Sequence, residues 1–294
     1  MTIIDVHTHG IGGYDTRTTD ENHILAIAAE HGSFGVDEIV PAIYSASIKV
    51  MREQMAIVRK AMEKQSKAVE RQASSAENRR TARIAGIHLE GPFLNFSQCG
   101  AQNAATFLEP SEYRLRELVE GFEDIVKIIT IAPEMQGAEG VIRKIADMGF
   151  IPSMGHSEAT YNEAEIGFNA GARGITHIFN AMRRFHHREP GLAGFGLLNE
   201  DVYIEVIADP YHLHRSSIEL IFRIKNPARI IIISDTVKES KTYKHIKGVT
   251  NSSGTLLGGS TSIPESAAGL IEMGLDKELV MNCITKNPER YLKQ

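Results

Sequence analysis

Short runs of apolar, mostly β-branched residues recur along the whole chain, and each has the length of one strand. Runs of this kind, bounded by glycine or polar residues, are typical of strands that are buried on both faces. The pattern predicts eight strands, at Thr2–Val6, Glu38–Ile43, Ile84–Leu89, Ile125–Ile131, Phe150–Met154, Gly174–Ile178, Val202–Ile207 and Ile230–Ser234.

Between these runs, apolar residues recur at helical spacing. The first six helices are predicted at Glu21–His31, Ile48–Ala73, Ser111–Glu120, Ala138–Met148, Glu158–Ala170 and Ser216–Ile224. After a Gly/Ser-rich loop at Asn251–Ser262, two more are predicted at Pro264–Met273 and Lys277–Thr285. The charged stretch Ile48–Arg80 is expected to be a solvated helix whose end frays at Ser74 and Ser75.

The alternation of strand and helix requires a parallel sheet. Eight repeats predict an α/β fold, a closed (β/α)₈ TIM-like barrel that spans residues 1–294 as a single domain. An open doubly wound sheet usually has fewer strands and carries a Gly-rich phosphate turn after the first. Here the first strand is followed by His7-Thr8-His9-Gly10 instead.

Composition and charge narrow the classes of partner. The chain is 42% hydrophobic and 23% charged, with a formal net charge of −5 in which both signs are interleaved, so neither nucleic acid nor a membrane surface is expected as a partner. Only two cysteines occur, and the N-terminus has no leader-like pattern, which predicts a cytoplasmic protein. We expect both thiols, Cys99 and Cys283, to be buried packing groups.

Several imidazoles and carboxylates stand where predicted strands end. Because barrel enzymes carry their chemistry at the carboxyl ends of their strands, we expect these side chains to converge on a divalent metal. They are His7, His9, Glu90, His156, His177 and Asp235.

Each of these residues also has a less specific explanation. A single His-X-His such as His7 and His9 is a weak signal, although both side chains point to one face of a strand. A buried Glu90 needs a cation close by. Asp235 by itself would be read as a helix cap or a turn residue, but beside a metal it is better interpreted as a proton carrier.

The chain resembles the N-acetylglucosamine-6-phosphate deacetylases of the amidohydrolase superfamily over nearly its whole length. The resemblance rests on Asp5-Val6-His7-Thr8-His9-Gly10, His88-Leu89-Glu90-Gly91-Pro92-Phe93, Ala132-Pro133-Glu134, Gly155-His156-Ser157-Glu158-Ala159-Thr160, Thr176-His177-Ile178-Phe179-Asn180-Ala181-Met182 and Arg188-Glu189-Pro190-Gly191-Leu192-Ala193-Gly194. No one segment is specific by itself, whereas their ordered combination is.

The resemblance implies a metal held by Glu90, His156 and His177, with His7 and His9 forming a second site that only some members retain. It assigns general acid/base catalysis to Asp235. The substrate contacts that it implies are Ala101, Gln102, Asn180, Ala181, Arg188, His212, Leu256, Leu257 and Gly258.

Residue chemistry is compatible with some of these roles. Arg188 carries the planar donors that suit a sugar phosphate, and it could reach inward or across to a partner subunit. We expect His212 to polarise the acyl oxygen or to contact the phosphate, with His214 the weaker candidate. The remaining histidines, His23, His31, His186, His187 and His245, are expected to be exposed and without a role.

The implied reaction is the hydrolysis of an N-acetyl group on a phosphorylated amino sugar, with one or two divalent ions per subunit. His and carboxylate ligands suit zinc, iron, manganese or nickel. A homodimer is expected from Arg188 and from the general prevalence of symmetric oligomers.

Two departures from the family keep alternatives open. The small β-sandwich domain that the family carries has no counterpart in these 294 residues, and Gln102 stands where relatives usually have histidine. Gln102 and the short segment after Asp235 are expected to affect the substrate side of the site rather than the metal side. The alternatives are cleavage of another amide or a cyclic imide and, less favoured, a non-catalytic barrel that serves as a scaffold.

Overall fold

A computed structural model describes residues 1–72, 80–242 and 248–294. Eight parallel strands follow one another around a barrel, each hydrogen-bonded to the next in sequence order. They are β1 (Ile4–Thr8), β2 (Glu38–Tyr44), β3 (Ile87–Glu90), β4 (Val126–Ile131), β5 (Ile151–Met154), β6 (Gly174–Ile175), β7 (Tyr203–Ile207) and β8 (Ile230–Ile233).

The predicted (β/α)₈ barrel is therefore confirmed. Its last and first strands meet just beyond their ends, where Asp235 N–H donates to the His7 carbonyl at 2.9 Å and His9 N–H donates to the Thr236 carbonyl at 2.8 Å. The residues that close the barrel are thus among those expected to form the site.

Helices cover the outside of the barrel, and most begin with a side-chain cap. They are α1 (Glu21–Ser33), α2 (Ile48–Gln72), α3 (Glu112–Val119), α4 (Ala138–Asp147), α5 (Tyr161–Asn169), α6 (Gly191–Leu198), α7 (Arg215–Ile224), α8 (Ile263–Glu272), α9 (Lys277–Ile284) and α10 (Lys286–Tyr291). At α5, Thr160 and Glu163 form a reciprocal capping box, which satisfies two backbone donors that would otherwise lack partners. Among these helices, none combines the length and the apolar character that a membrane crossing requires.

The structure changes several predicted boundaries. Strand β6 ends at Ile175 rather than Ile178, because His177 turns into the left-handed region with φ of 32°. The predicted loop Asn251–Ser262 contains a short strand, Leu256–Gly258, that pairs antiparallel with Val249–Thr250. A second small hairpin joins Gly10–Ile11 to Tyr14–Asp15, and Arg83–Ile84 extends the pairing of β2.

Two helices were not predicted. The first, α6, is a buried helix with the sequence GLAGFGLL, which has no polar face and therefore no helical periodicity. Its glycines permit close packing, since a Cβ at Gly196 would lie 2.6 Å from Ile175 Cδ1. The second, α10, is only one and a half turns long. The predicted fraying at Ser74 and Ser75 lies outside the described residues.

The barrel interior has an apolar lower layer and a polar upper one. Alternate residues of β8 face opposite sides, so that Ile231 and Ile233 pack inside while Ile230 and Ile232 face the helices. Tyr291 of α10 is fully buried and packs with Tyr203 at a ring-centroid distance of 5.0 Å, which fills the end of the barrel opposite the site.

Tyr291 should therefore contribute strongly to stability. We expect Tyr291→Ala to lower the free energy of unfolding by about 3–5 kcal/mol, because it leaves a cavity inside the barrel. Chemical denaturation measures this value. Tyr113→Ala is the matched control, since Tyr113 is 76% exposed. A loss below about 1 kcal/mol for Tyr291→Ala would show that the barrel end does not depend on this ring.

Candidate metal centre and active site

The structure brings all six predicted ligand residues together at the carboxyl ends of the strands. Glu90 Oε1 lies 3.1 Å from His156 Nε2 and 3.0 Å from His177 Nε2, and the two imidazole nitrogens are 3.2 Å apart. Ligand atoms that share one ion at about 2.0–2.2 Å lie roughly 3.0–3.5 Å from each other. These three residues therefore have the spacing of a metal site.

A second group adjoins the first. His7 Nε2 and His9 Nε2 are 3.3 Å apart, and Asp235 Oδ1 lies 3.6 Å and 3.7 Å from them. The other oxygen of Glu90, Oε2, lies 3.1 Å from His9 Nε2. Glu90 thus stands between the two groups: Oε2 faces His9, whereas Oε1 faces the first group and also lies 3.5 Å from His7 Nε2.

The backbone turns sharply where these side chains leave the strands. His156, His177 and Asp235 all have positive φ, at 48°, 32° and 46°. This left-handed conformation is uncommon outside glycine and is found mainly where a site requires it. It ends each strand at the rim and holds the side chain over the barrel axis.

The hydrogen bonds of the imidazoles indicate which nitrogens carry hydrogen. His156 Nδ1 lies 2.8 Å from the Gln98 carbonyl, His177 Nδ1 lies 3.2 Å from the Asn180 carbonyl, and His9 Nδ1 lies 3.1 Å from the Ala42 carbonyl. A carbonyl only accepts, so these three Nδ1 atoms are the donors, and in a metal-binding form each ring would present the lone pair of Nε2 to the cluster.

His7 has a different partner. Its Nδ1 lies 3.1 Å from Glu205 Oε2, a buried carboxylate inside the barrel. Burial lowers the pKa of His7 well below its usual value, so this imidazole is neutral and its Nε2 also presents a lone pair. A histidine held by a carboxylate in this way is typical of metal ligands.

The cluster consequently fits a divalent cation. Four Nε2 lone pairs face one another and the two carboxylates, an arrangement that is repulsive without a positive charge between them. Burial by itself raises the pKa of Glu90, but the imidazoles of His156 and His9 outweigh it and hold the pKa well below its usual value. Burial and the charge of Glu90 raise the pKa of Asp235.

A cavity opens above the cluster, and most of the predicted substrate contacts line it. Its wall includes His9, Tyr44, Glu90, Gly100, Ala101, Gln102, His156, His177, Asn180, Ala181, Ile207, His212, Asp235, Thr255, Leu256, Leu257 and Gly258. Arg188 is not on this wall: it is exposed on the loop before α6. No lysine or arginine of the described residues lines the cavity.

His212 is held in a defined orientation. Its Nδ1 lies 3.1 Å from Asp209, which also accepts from the backbone and side chain of Ser260 at 3.0 Å. Burial tends to raise the pKa of Asp209, but its bond to His212 outweighs burial and the pKa falls to about 2. Asp209 is therefore ionised, and it leaves His212 Nε2 as the atom available on the cavity side.

Gln102 lines the cavity together with the other predicted substrate contacts, and it also reaches the candidate metal ligands. Its Nε2 donates to Glu90 Oε2 at 2.6 Å, a contact that the sequence did not predict. The reason is that the loop after β3 folds back over Glu90, a long-range contact that no local pattern encodes.

Several residues around the site were missed. Glu205 supports His7, and Tyr44 stacks on His9 with ring centroids 3.7 Å apart. His88 is fully buried, with its Nε2 2.8 Å from Thr130 Oγ1. Strand parity was the available signal, since Glu205 shares the parity of Tyr203 and Ile207, which face the barrel interior, and His88 precedes Glu90 by two positions.

Some of the minor predictions were wrong. His31 is fully buried, with Nε2 2.9 Å from Thr8 Oγ1, because α1 packs it against β1. His23 is only half-exposed, whereas His186 and His187 are exposed as predicted, and His245 lies outside the described residues. His214 accepts from Ser216 N–H and caps α7. Cys283 is buried as predicted, but Cys99 is half-buried on a loop.

Comparison with known proteins gives consistent relatives, although no family model matches the chain. An N-acetylgalactosamine-6-phosphate deacetylase of Escherichia coli O157:H7 is 26% identical over 302 residues, covering 98% of this chain and 76% of the relative. An N-acetylglucosamine-6-phosphate deacetylase of Vibrio furnissii is 30% identical over 236 residues, covering 80% of this chain but only 56% of the relative.

The fold agrees with these relatives. A variant of the N-acetyl-D-glucosamine-6-phosphate deacetylase of Mycobacterium smegmatis, solved in complex with N-acetyl-D-glucosamine-6-phosphate, superposes with a TM-score of 0.88 at 26% identity. The superposition covers 99% of this chain and 77% of that one. These likenesses lead to one conclusion: the chain is a relative of the N-acetylglucosamine-6-phosphate deacetylases and shares their barrel over nearly its whole length.

Proposed function

We propose that this protein is a metal-dependent hydrolase that removes the N-acetyl group from N-acetylglucosamine-6-phosphate, giving glucosamine-6-phosphate and acetate. The observation that carries the proposal is Glu90, a buried carboxylate set between four inward-facing imidazole nitrogens at the base of a cavity. The names of the relatives support the choice of substrate.

Two groups of residues would hold the metal. Glu90, His156 and His177 would bind one ion, and His7, His9 and Asp235 a second. A bound divalent cation supplies Lewis-acid activation of the amide carbonyl and of water. The donor set of nitrogen and carboxylate oxygen suits zinc, iron, manganese or nickel.

Asp235 would carry the proton. It lies beside both groups at the edge of the cavity, and its pKa is raised by burial and by Glu90. A carboxyl with a raised pKa can accept a proton from the attacking water and later deliver it to the departing nitrogen, which leaves poorly as an anion.

His212 would act on the substrate itself. Asp209 accepts from its Nδ1–H, and in the imidazolium form of His212 Nε2–H would also be free to donate to the acyl oxygen or to the phosphate. The remaining wall is supplied by Asn180, Ala181, Gln102 and the Leu256–Gly258 strand. We therefore propose that the barrel alone contains the catalytic site.

The phosphate raises the question of a partner subunit. None of the described lysine or arginine side chains lines the cavity. Arg188 is exposed on the β6–α6 loop, the loop that also carries the wall residues Asn180 and Ala181. We propose a homodimer in which Arg188 of one subunit serves the other, and a cytoplasmic location in keeping with two free thiols.

Among the described residues no cationic side chain lines the cavity, which also favours a second candidate, hydrolysis of an unphosphorylated amide or a cyclic imide. A substrate panel separates the two. We expect acetate release from N-acetylglucosamine-6-phosphate, and loss of the phosphate should lower kcat/KM at least about a hundredfold, since a bidentate charged contact is lost. Equal rates with and without phosphate would favour the second candidate.

The proton role of Asp235 predicts a selective loss. Asp235→Asn should retain substrate binding and the ion held by Glu90, His156 and His177 while kcat falls by about 10²–10⁴, because the amide cannot accept or deliver the proton. Steady-state kinetics together with metal content measure both effects. Asp201→Asn, at an exposed carboxylate, is the matched control. Turnover of Asp235→Asn near the native rate would contradict the assignment.

The metal requirement can be tested directly. Elemental measurement on the purified protein should find roughly one or two divalent ions per chain. Chelation should abolish acetate release and lower Tm, because binding of the ion to the folded state stabilises it. Both should return when the ion is added back, and a metal-free protein with full activity would refute the proposal.

A further inference from the structure

Gln102 occupies an unusual place in the site. Its side-chain amide lies between the backbone of Ser45, at the end of β2, and the carboxylate of Glu90, at the end of β3. Ser45 N lies 2.9 Å from Gln102 Oε1, and Gln102 Nε2 lies 2.6 Å from Glu90 Oε2. Both hydrogen-bonding ends of the amide are therefore engaged.

The orientation of this amide follows from its partners. A backbone N–H can only donate, so the atom that faces Ser45 is the oxygen and the NH₂ group faces Glu90. Thr106 holds Ser45 in turn, since its Oγ1 donates to the Ser45 carbonyl at 3.1 Å. Gln102 consequently cannot offer its oxygen to an ion without giving up the bond to Ser45.

This donor acts on the carboxylate that joins the two metal groups. Glu90 Oε1 lies 3.1 Å and 3.0 Å from His156 and His177 and 3.5 Å from His7, while Oε2 faces His9 at 3.1 Å. Rotation about the Cγ–Cδ bond of Glu90 would move each oxygen away from its present partners. The Gln102 donor at Oε2 opposes that rotation, because a charge-assisted hydrogen bond is both short and directional.

We propose that Gln102 is a positioning residue that fixes the carboxylate plane of Glu90, holding Oε2 toward His9 and Oε1 toward His156 and His177, the orientation in which this carboxylate would bind metal. This inference rests on the proposed metal-dependent function. Residues that orient metal ligands typically change metal affinity or activity 10- to 100-fold when they are replaced. The amide also ties the loop that covers the cavity to β2, so loop placement and metal binding depend on the same group.

The test compares variants by metal binding as well as by turnover. Gln102→Met keeps the length of the side chain and removes the donor. We expect its Kd for Co²⁺, measured by titration of the metal-free protein, to rise at least about tenfold, with a changed visible absorption spectrum of the bound ion. Gln102→His retains an N–H donor and should recover most of the affinity.

A matched control comes from Gln65 on α2. Its Oε1 accepts from Ile84 N–H at 2.9 Å, the same type of anchor, at a place remote from the cavity. Gln65→Met should leave the Co²⁺ Kd and spectrum unchanged even if it lowers Tm. A similar change in both Met variants would show that general loosening, rather than positioning, is responsible and would overturn the inference.

The outcomes also distinguish this inference from the proposed function. If the native protein binds no Co²⁺, Zn²⁺ or Mn²⁺, the metal-dependent function itself fails. If the native protein binds an ion and Gln102→Met binds it with the same Kd and spectrum, only the role of Gln102 is refuted. If Gln102→Met does not fold, Gln102→His decides, because the inference requires it to bind within about threefold of native affinity.

Discussion

The arrangement of this protein depends on a repulsion that only a cation relieves. Four imidazole nitrogens and the carboxylate of Glu90 face one another inside a buried rim, and the Nδ1 partners direct every lone pair toward the centre. Burying such a group without a positive charge costs free energy that the rest of the barrel would have to supply. The surrounding polar contacts make sense as supports for an ion.

Closure of the barrel and assembly of the site are the same structural event. The backbone bonds that join β1 to β8 are made by His7, His9, Asp235 and Thr236, three of which are candidate site residues. The left-handed turns at His156, His177 and Asp235 cost local strain, which the hydrogen-bonded rim must offset. A barrel that failed to close would therefore also lose the geometry of its site.

The groups that hold the candidate ligands in place come from different parts of the chain. Three imidazoles are held by backbone carbonyls close to the rim, whereas His7 on β1 relies on the side chain of Glu205 on β7, the strand beyond the neighbouring β8. Gln102 reaches Glu90 from a loop, and Asp209 orients His212 from the loop after β7. The site therefore depends on residues far apart in sequence, each placed by a different element.

Sequence alone determined the number and order of the strands, because β-branched runs and helical spacing are local properties. It also marked the candidate ligands, since a polar residue at the end of a buried strand is visible without coordinates. It could not show α6, whose uniformly apolar sequence has no period, or the burial of His31. The tertiary structure alone decided that Gln102 touches Glu90 and that Glu205 holds His7. Those contacts join segments 12 and 198 residues apart, and chain folding rather than local preference sets such distances.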